Sequence, residues 1–137
     1  MKHALATTFA LFALTTTGAL AEDEAGRNEF MIACAGCHGE TAKGDGPLAG
    51  LLNIDTPDLT TIAAEKGDGE FPFTYTLWMI DGRNIIRAHG AAMPTWGDRY
   101  VAAAAIPEAQ SETPEARELV AKGRILSLLY YLESIQE

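Results

Sequence analysis

The sequence predicts an all-α fold, and three observations carry that expectation. No segment shows sustained period-two alternation, so strands have no signature. Several segments place apolar residues at helical spacing. A C-terminal stretch also carries the start and stop signals of one long helix.

The elements follow in order. Glu24 to Cys37 predicts a first helix, with Phe30, Met31 and Ala33-Cys34 near helical spacing. Gly39 to Gly50 holds Gly39, Gly44, Gly46, Pro47 and Gly50, so it reads as loop, which "NIDTPDLT" continues. "TIAAE" fits one short helical turn stopped by "KGDGE". "FPFTYTLWMIDG" predicts another helix, with Phe73, Leu77 and Ile80 as its stripe and Gly82 at its end. "RNIIRAHGAAMPTWG" reads mostly as loop, and "WGDRYVAAAAI" as a short helix before the polar connector "PEAQSE". In the last helix Thr113 caps, Pro114 takes the first position and Glu115 meets the positive end. Leu119, Ile125, Leu128, Leu129, Leu132 and Ile135 make its apolar face.

Residues 1–21 read as a cleaved secretory signal peptide. Lys2 and His3 precede an apolar stretch, and Ala19 and Ala21 stand where a leader peptidase needs small residues. Five threonines interrupt the stretch, which falls short of the roughly 18–20 apolar residues of a membrane span. Export to the periplasm is therefore expected, with residues 22–137 as one domain and no stable membrane insertion of the mature chain. All 19 acidic residues and nine of the ten basic ones follow the leader, giving the mature side chains a net charge of −10. Such a balance excludes nucleic acid, which calls for clustered Lys and Arg. It favours a docking partner with a basic surface.

The chemistry concentrates in Cys34-Ala35-Gly36-Cys37-His38, which holds the chain's two cysteines. A disulfide or a redox pair is the alternative to weigh in an exported protein. A thioredoxin-type pair, however, follows a strand, and here a helical pattern precedes it. Zinc lacks a second closely spaced ligand pair. Haem attachment uses all three residues at once. On a helix, positions i, i+3 and i+4 share a face, so both thiols can add to haem vinyl groups while His38 reaches the iron.

With these residues the chain resembles the monohaem class I c-type cytochromes over nearly all of residues 22–137. Gly26 and Phe30, eight and four positions before Cys34, match the family's first helix. Leu128 and Tyr131 match its last helix, which packs across that Gly/Phe face. The resemblance implies a small cytochrome c fold around one covalently bound haem c per chain. "GDGPLAG" matches the loop in which a proline carbonyl accepts a hydrogen bond from the proximal histidine, a role that falls on Pro47. Met93-Pro94, 55 residues after His38, resembles the distal loop whose methionine coordinates iron.

His89 is the rival sixth ligand, whereas Met31 and Met79 lie in helical patterns and read as core. Trp78, Arg83, Arg87, Trp96 and Arg99 are the candidates to bind haem propionates. The resemblance implies a one-electron carrier between a redox donor and an acceptor, with no catalytic residue and so no enzyme. The alternatives are a haem subunit docked permanently in an oxidoreductase complex, and a haem sensor or peroxidase with a labile sixth site.

Overall fold

Gly26 decides how the two longest helices meet. A Cβ built on it would run into the Ser127 carbonyl oxygen and lie 2.7 Å from Tyr131 Cβ. Only a residue without a side chain lets the backbones come this close. The computed structural model describes residues 18–83, 93–104 and 113–137, with side chains from Glu24 on. Among them there are helices and no strand. These are α1 (Gly18–Ala33), α2 (Ala35–His38), α3 (Ile62–Lys66), α4 (Phe73–Asp81), α5 (Trp96–Ala103) and α6 (Pro114–Ser134). Two 3-10 turns lie at Ala49–Leu51 and Leu59–Thr61. Residues 1–17, residues 84–92 with Arg87 and His89, and residues 105–112 with the expected connector lie outside the described residues.

The crossing of α1 and α6 is the most extensive helix contact, and α4 and α5 pack on α6 beside it. Phe30 and Leu128 are fully buried there. The Phe30 and Tyr131 rings sit 5.4 Å apart. The four residues that the resemblance set against one another thus form the centre of the crossing. A charged clamp sits next to it. Arg124 Nε donates to Glu29 Oε1 at 2.7 Å and a second guanidinium nitrogen to Oε2 at 3.0 Å. The same guanidinium lies over the Tyr100 ring of α5, 4.7 Å from its centroid, so one arginine joins three helices.

The helix ends obey local chemistry. Thr113 Oγ1 accepts from the Ala116 amide at 3.2 Å, with Pro114 next in line. Gly82 ends α4 in the left-handed region, at φ 68°, and its amide donates to the Trp78 carbonyl. That backbone angle is why a glycine stands there.

Three expectations are corrected. The first helix stops at Ala33, and a separate short helix begins after Cys34. Leu119 does not belong to the buried face of α6; it is 73% exposed, while Ala121, Ile125, Leu128 and Leu132 are buried. On α4 the buried residues are Thr76 and Ile80, and Leu77 faces outward.

Candidate haem-attachment site

Cys34 opens the site by interrupting one helix and starting the next. Its amide still donates to the Phe30 carbonyl at 2.8 Å, and its own carbonyl accepts from the His38 amide at 2.9 Å. Cys34, Cys37 and His38 therefore stand at helical spacing on a turn anchored to α1. Both thiols are free. Cys34 and His38 are buried and Cys37 is half-buried. Burial pushes the Cys34 thiol up to about 12, with Glu29 and then Cys37 adding smaller contributions of the same sign.

His38 Nδ1 lies 3.1 Å from the carbonyl oxygen of Pro57. A carbonyl oxygen only accepts, so Nδ1 carries the proton and Nε2 holds the ring's coordinating lone pair. The proline expected in this role was Pro47, and the structure moves the role to Pro57. The reason is the path of the loop. Gly46 N donates to the Cys37 carbonyl at 3.0 Å and Leu48 N to the Gly36 carbonyl at 2.8 Å. These bonds press the Pro47 stretch against the backbone of α2 and leave Pro47 itself exposed.

Pro57 is held in turn by distant parts of the chain. Leu59 N donates to the Ala42 carbonyl at 2.7 Å. Gln136, next to the C-terminus, donates through Nε2 to the Leu59 carbonyl at 2.8 Å, and its Oε1 accepts from Ala63 N at 2.8 Å. Glu137 N adds a bond to the Thr60 carbonyl at 2.9 Å. Two residues that carried no sequence signal thus fix the strap behind the imidazole.

Two adjoining clefts open beside His38. Both are lined by Cys34, His38, Asp55, Pro57 and Met93. The first adds Cys37, Leu52, Ile54, Pro94 and Trp96. The second, about 1100 Å³ with its mouth, adds Leu59, Ile62, Met79, Ile80 and Leu132 among others. An apolar slot with both thiols and one imidazole on its wall fits a covalently held haem. Met93, placed 55 residues from His38 in sequence, reaches the same slot. Met31 packs against the core as expected. Met79, also read as core, instead lines the larger cleft.

The propionate candidates separate. Trp96 lines a cleft. Trp78 lines a different groove, between α4 and α6. Arg83 is occupied by Asp81 and Glu118, and Arg99 lies over the Trp96 ring at 5.2 Å. Lys66 and Tyr75, which sequence reasoning passed over, line the larger cleft. Their signal is visible only in space, because α3 and α4 bring them together. Among the described residues no three His, Cys, Asp or Glu converge as a metal cage, and no helix is long and apolar enough to cross a membrane.

Compared with protein-family models, curated proteins and solved structures, the chain has no significant match. The assignment rests on the molecule's own features. Cys34, Cys37 and His38 match the CxxCH haem-attachment motif of class I cytochromes c, in an all-helical fold whose terminal helices cross as in that family, and this arrangement supports one covalently attached haem c per chain in a carrier-type role.

Proposed function

We propose that this chain is a periplasmic one-electron carrier whose haem iron is held by His38 and Met93. The observation that carries this reading is that His38, oriented by Pro57, and Met93 line the same clefts as Cys34. When bound, the haem supplies a reversible one-electron couple at its iron. Cys34 and Cys37 tether it, so it is not lost outside the cell. His38 offers Nε2, and the Pro57 carbonyl keeps its ring from turning.

Met93 offers a soft sulfur that favours the ferrous state and raises the potential. Leu59, Ile80 and Leu132 exclude water from the cleft, and the rigid strap at Pro57 limits reorganisation when charge changes. The acidic balance suits donor and acceptor proteins with basic docking surfaces. Export rests on the leader at residues 1–21, and no residue is assigned to catalysis.

Intact mass and visible spectra of the protein from the periplasm test this reading. The expected mass is the chain from Glu22 plus one haem, with a low-spin spectrum and the weak far-red band of iron–thioether ligation. A mass two units below the bare chain means a disulfide and ends the haem reading. A high-spin spectrum with rapid carbon monoxide binding ends the carrier reading.

A further inference from the structure

Two glycines bring the end of α4 against the start of α5. A Cβ built on Gly82 would lie 3.2 Å from Thr95 Cα. One built on Gly97 would strike the Arg83 guanidinium and come within 2.6 Å of Asp81 Oδ1. Gly82 and Thr95 are thirteen residues apart, and the stretch between them carries Met93. The two described ends of that stretch therefore meet.

Arg83 locks this closure. Its Nε donates to Asp81 Oδ1 at 2.7 Å and its Nη2 to Oδ2 at 2.6 Å. Nη1 and Nη2 also donate to the two carboxylate oxygens of Glu118 on α6, each at 2.9 Å. Two bidentate contacts from one planar guanidinium fix position as well as charge. Lys122 stands 3.8 Å from Glu118 and adds a looser contact. Neither Asp81, Arg83 nor Glu118 lines the clefts at His38 and Met93. The cofactor does not explain the clasp.

Met93 is tied to the clasp by two peptide units. Pro94 follows it, and the proline ring fixes its own backbone angle and restricts the residue before it. Thr95 then abuts Gly82, and Gly97 abuts Arg83 and Asp81. From this short, stiff run Met93 and Trp96 face the same cleft. Moving the Met93 backbone away from the cleft pulls on both contacts.

We propose that Arg83 is a positioning residue for the distal ligand: clasped between Asp81 and Glu118, it sets how readily Met93 gives way at the haem iron. This inference rests on the reading of Met93 as that ligand. Free imidazole can bind the iron only once Met93 has left it. Its apparent affinity therefore reports the fraction of opened protein.

Imidazole titration of the ferric holoprotein, followed at the far-red thioether band, tests this. Arg83→Gln should keep the band and raise the imidazole affinity about tenfold, because charged hydrogen bonds that resist opening are lost. Arg83→Lys should undo only part of that rise, since an ammonium cannot hold both carboxylates in a planar fork. Glu118→Gln leaves Arg83 on Asp81 and should give a smaller rise. Added to Arg83→Gln it should bring little more, because both break one network. Gly26→Ala separates positioning from stability. It strains α6 at Ser127 instead, so it should lower the melting temperature and leave the imidazole affinity unchanged.

An Arg83→Gln protein with wild-type affinity overturns the proposal while Met93 stays on the iron. An equal rise in Gly26→Ala overturns it too, since general loosening then explains both. A wild type without the thioether band takes Met93 off the iron and overturns reading and proposal together.

Discussion

The imidazole of His38 and the backbone of Pro57, nineteen residues apart, are joined by a 3.1 Å hydrogen bond from Nδ1 to the carbonyl oxygen. This bond orients the ring, and it makes Nε2 more basic toward a metal. Its strength depends on how firmly the Pro57 strap is held. Pro57→Gly, which keeps the carbonyl but frees the strap, should raise the reduction potential and lower thermal stability. Pro47→Ala should leave the potential in place. Voltammetry of the two variants checks this, and equal shifts would return the role to neither proline.

Gln136 extends the same support to the end of the chain. Its side chain binds the Leu59 carbonyl, the Ala63 amide and the Leu132 carbonyl, at 2.6 to 2.8 Å. Gln136→Ala leaves part-buried backbone groups without these partners, at a cost of about 1–2 kcal/mol. Denaturant unfolding of the holoprotein should show that loss. A smaller potential shift of the same sign as in Pro57→Gly should accompany it, because the strap carries the His38 hydrogen bond.

Gly26 and Gly123 lie in different helices and predict opposite signs, because a Cβ at Gly123 would meet nothing within 4 Å and alanine there should stabilise α6. Gly26→Ala drives a methyl group into the Ser127 carbonyl and Tyr131 Cβ at the α1–α6 crossing. The backbone there cannot give way as a side-chain tip would. A loss of about 2 kcal/mol is expected despite alanine's better helix propensity. Thermal melts of the holoprotein read it directly. A neutral result would mean that the terminal helices are less closely packed than their geometry indicates.

Acid should unfold the protein partly through Asp81. Hydrogen bonds from the Arg83 side chain hold its carboxyl below the usual carboxylate range, against the opposing effect of burial. Its folded pKa is depressed, so its contribution is complete above the unfolded carboxylate value near pH 4. That contribution fades as pH falls through the lower folded value. The pair is partly exposed, which limits it to about 1 kcal/mol. Asp81→Asn should lower stability at neutral pH and flatten the acid limb, while melts near pH 2 should match wild type.

The haem-attachment motif was legible because its chemistry is local: five consecutive residues set the spacing on one helical turn. The terminal crossing was legible through the family resemblance carried by Gly26, Phe30, Leu128 and Tyr131. Pro57 was not, since the loop's path is fixed by Ala42, Leu59 and Gln136, which meet only in the folded chain. Nor could helical spacing tell which apolar side of α6 is covered, and so it misplaced Leu119. Met79 was hidden for a related reason, because an apolar stripe looks the same against a core as against a cofactor cleft.

Met79 and Met93 both line the larger cleft with His38, so the distal ligand must be decided between them and His89. Met93 borders both clefts and Met79 only one, and Met93 stands in the Met-Pro loop rather than within a helix. A loop residue can bring its sulfur to the iron without turning a helix, which favours Met93. Met93→Ala should abolish the thioether charge-transfer band, lower the potential and open the iron to carbon monoxide. Met79→Leu should keep the band and the six-coordinate spectrum, because leucine preserves the apolar wall. His89→Ala should leave band, potential and carbon monoxide exclusion nearly unchanged. Met93→His should stay low-spin at a lower potential, since imidazole stabilises the ferric state relative to thioether. Loss of the band in Met79→Leu, with Met93→Ala behaving as wild type, would move the ligand onto α4.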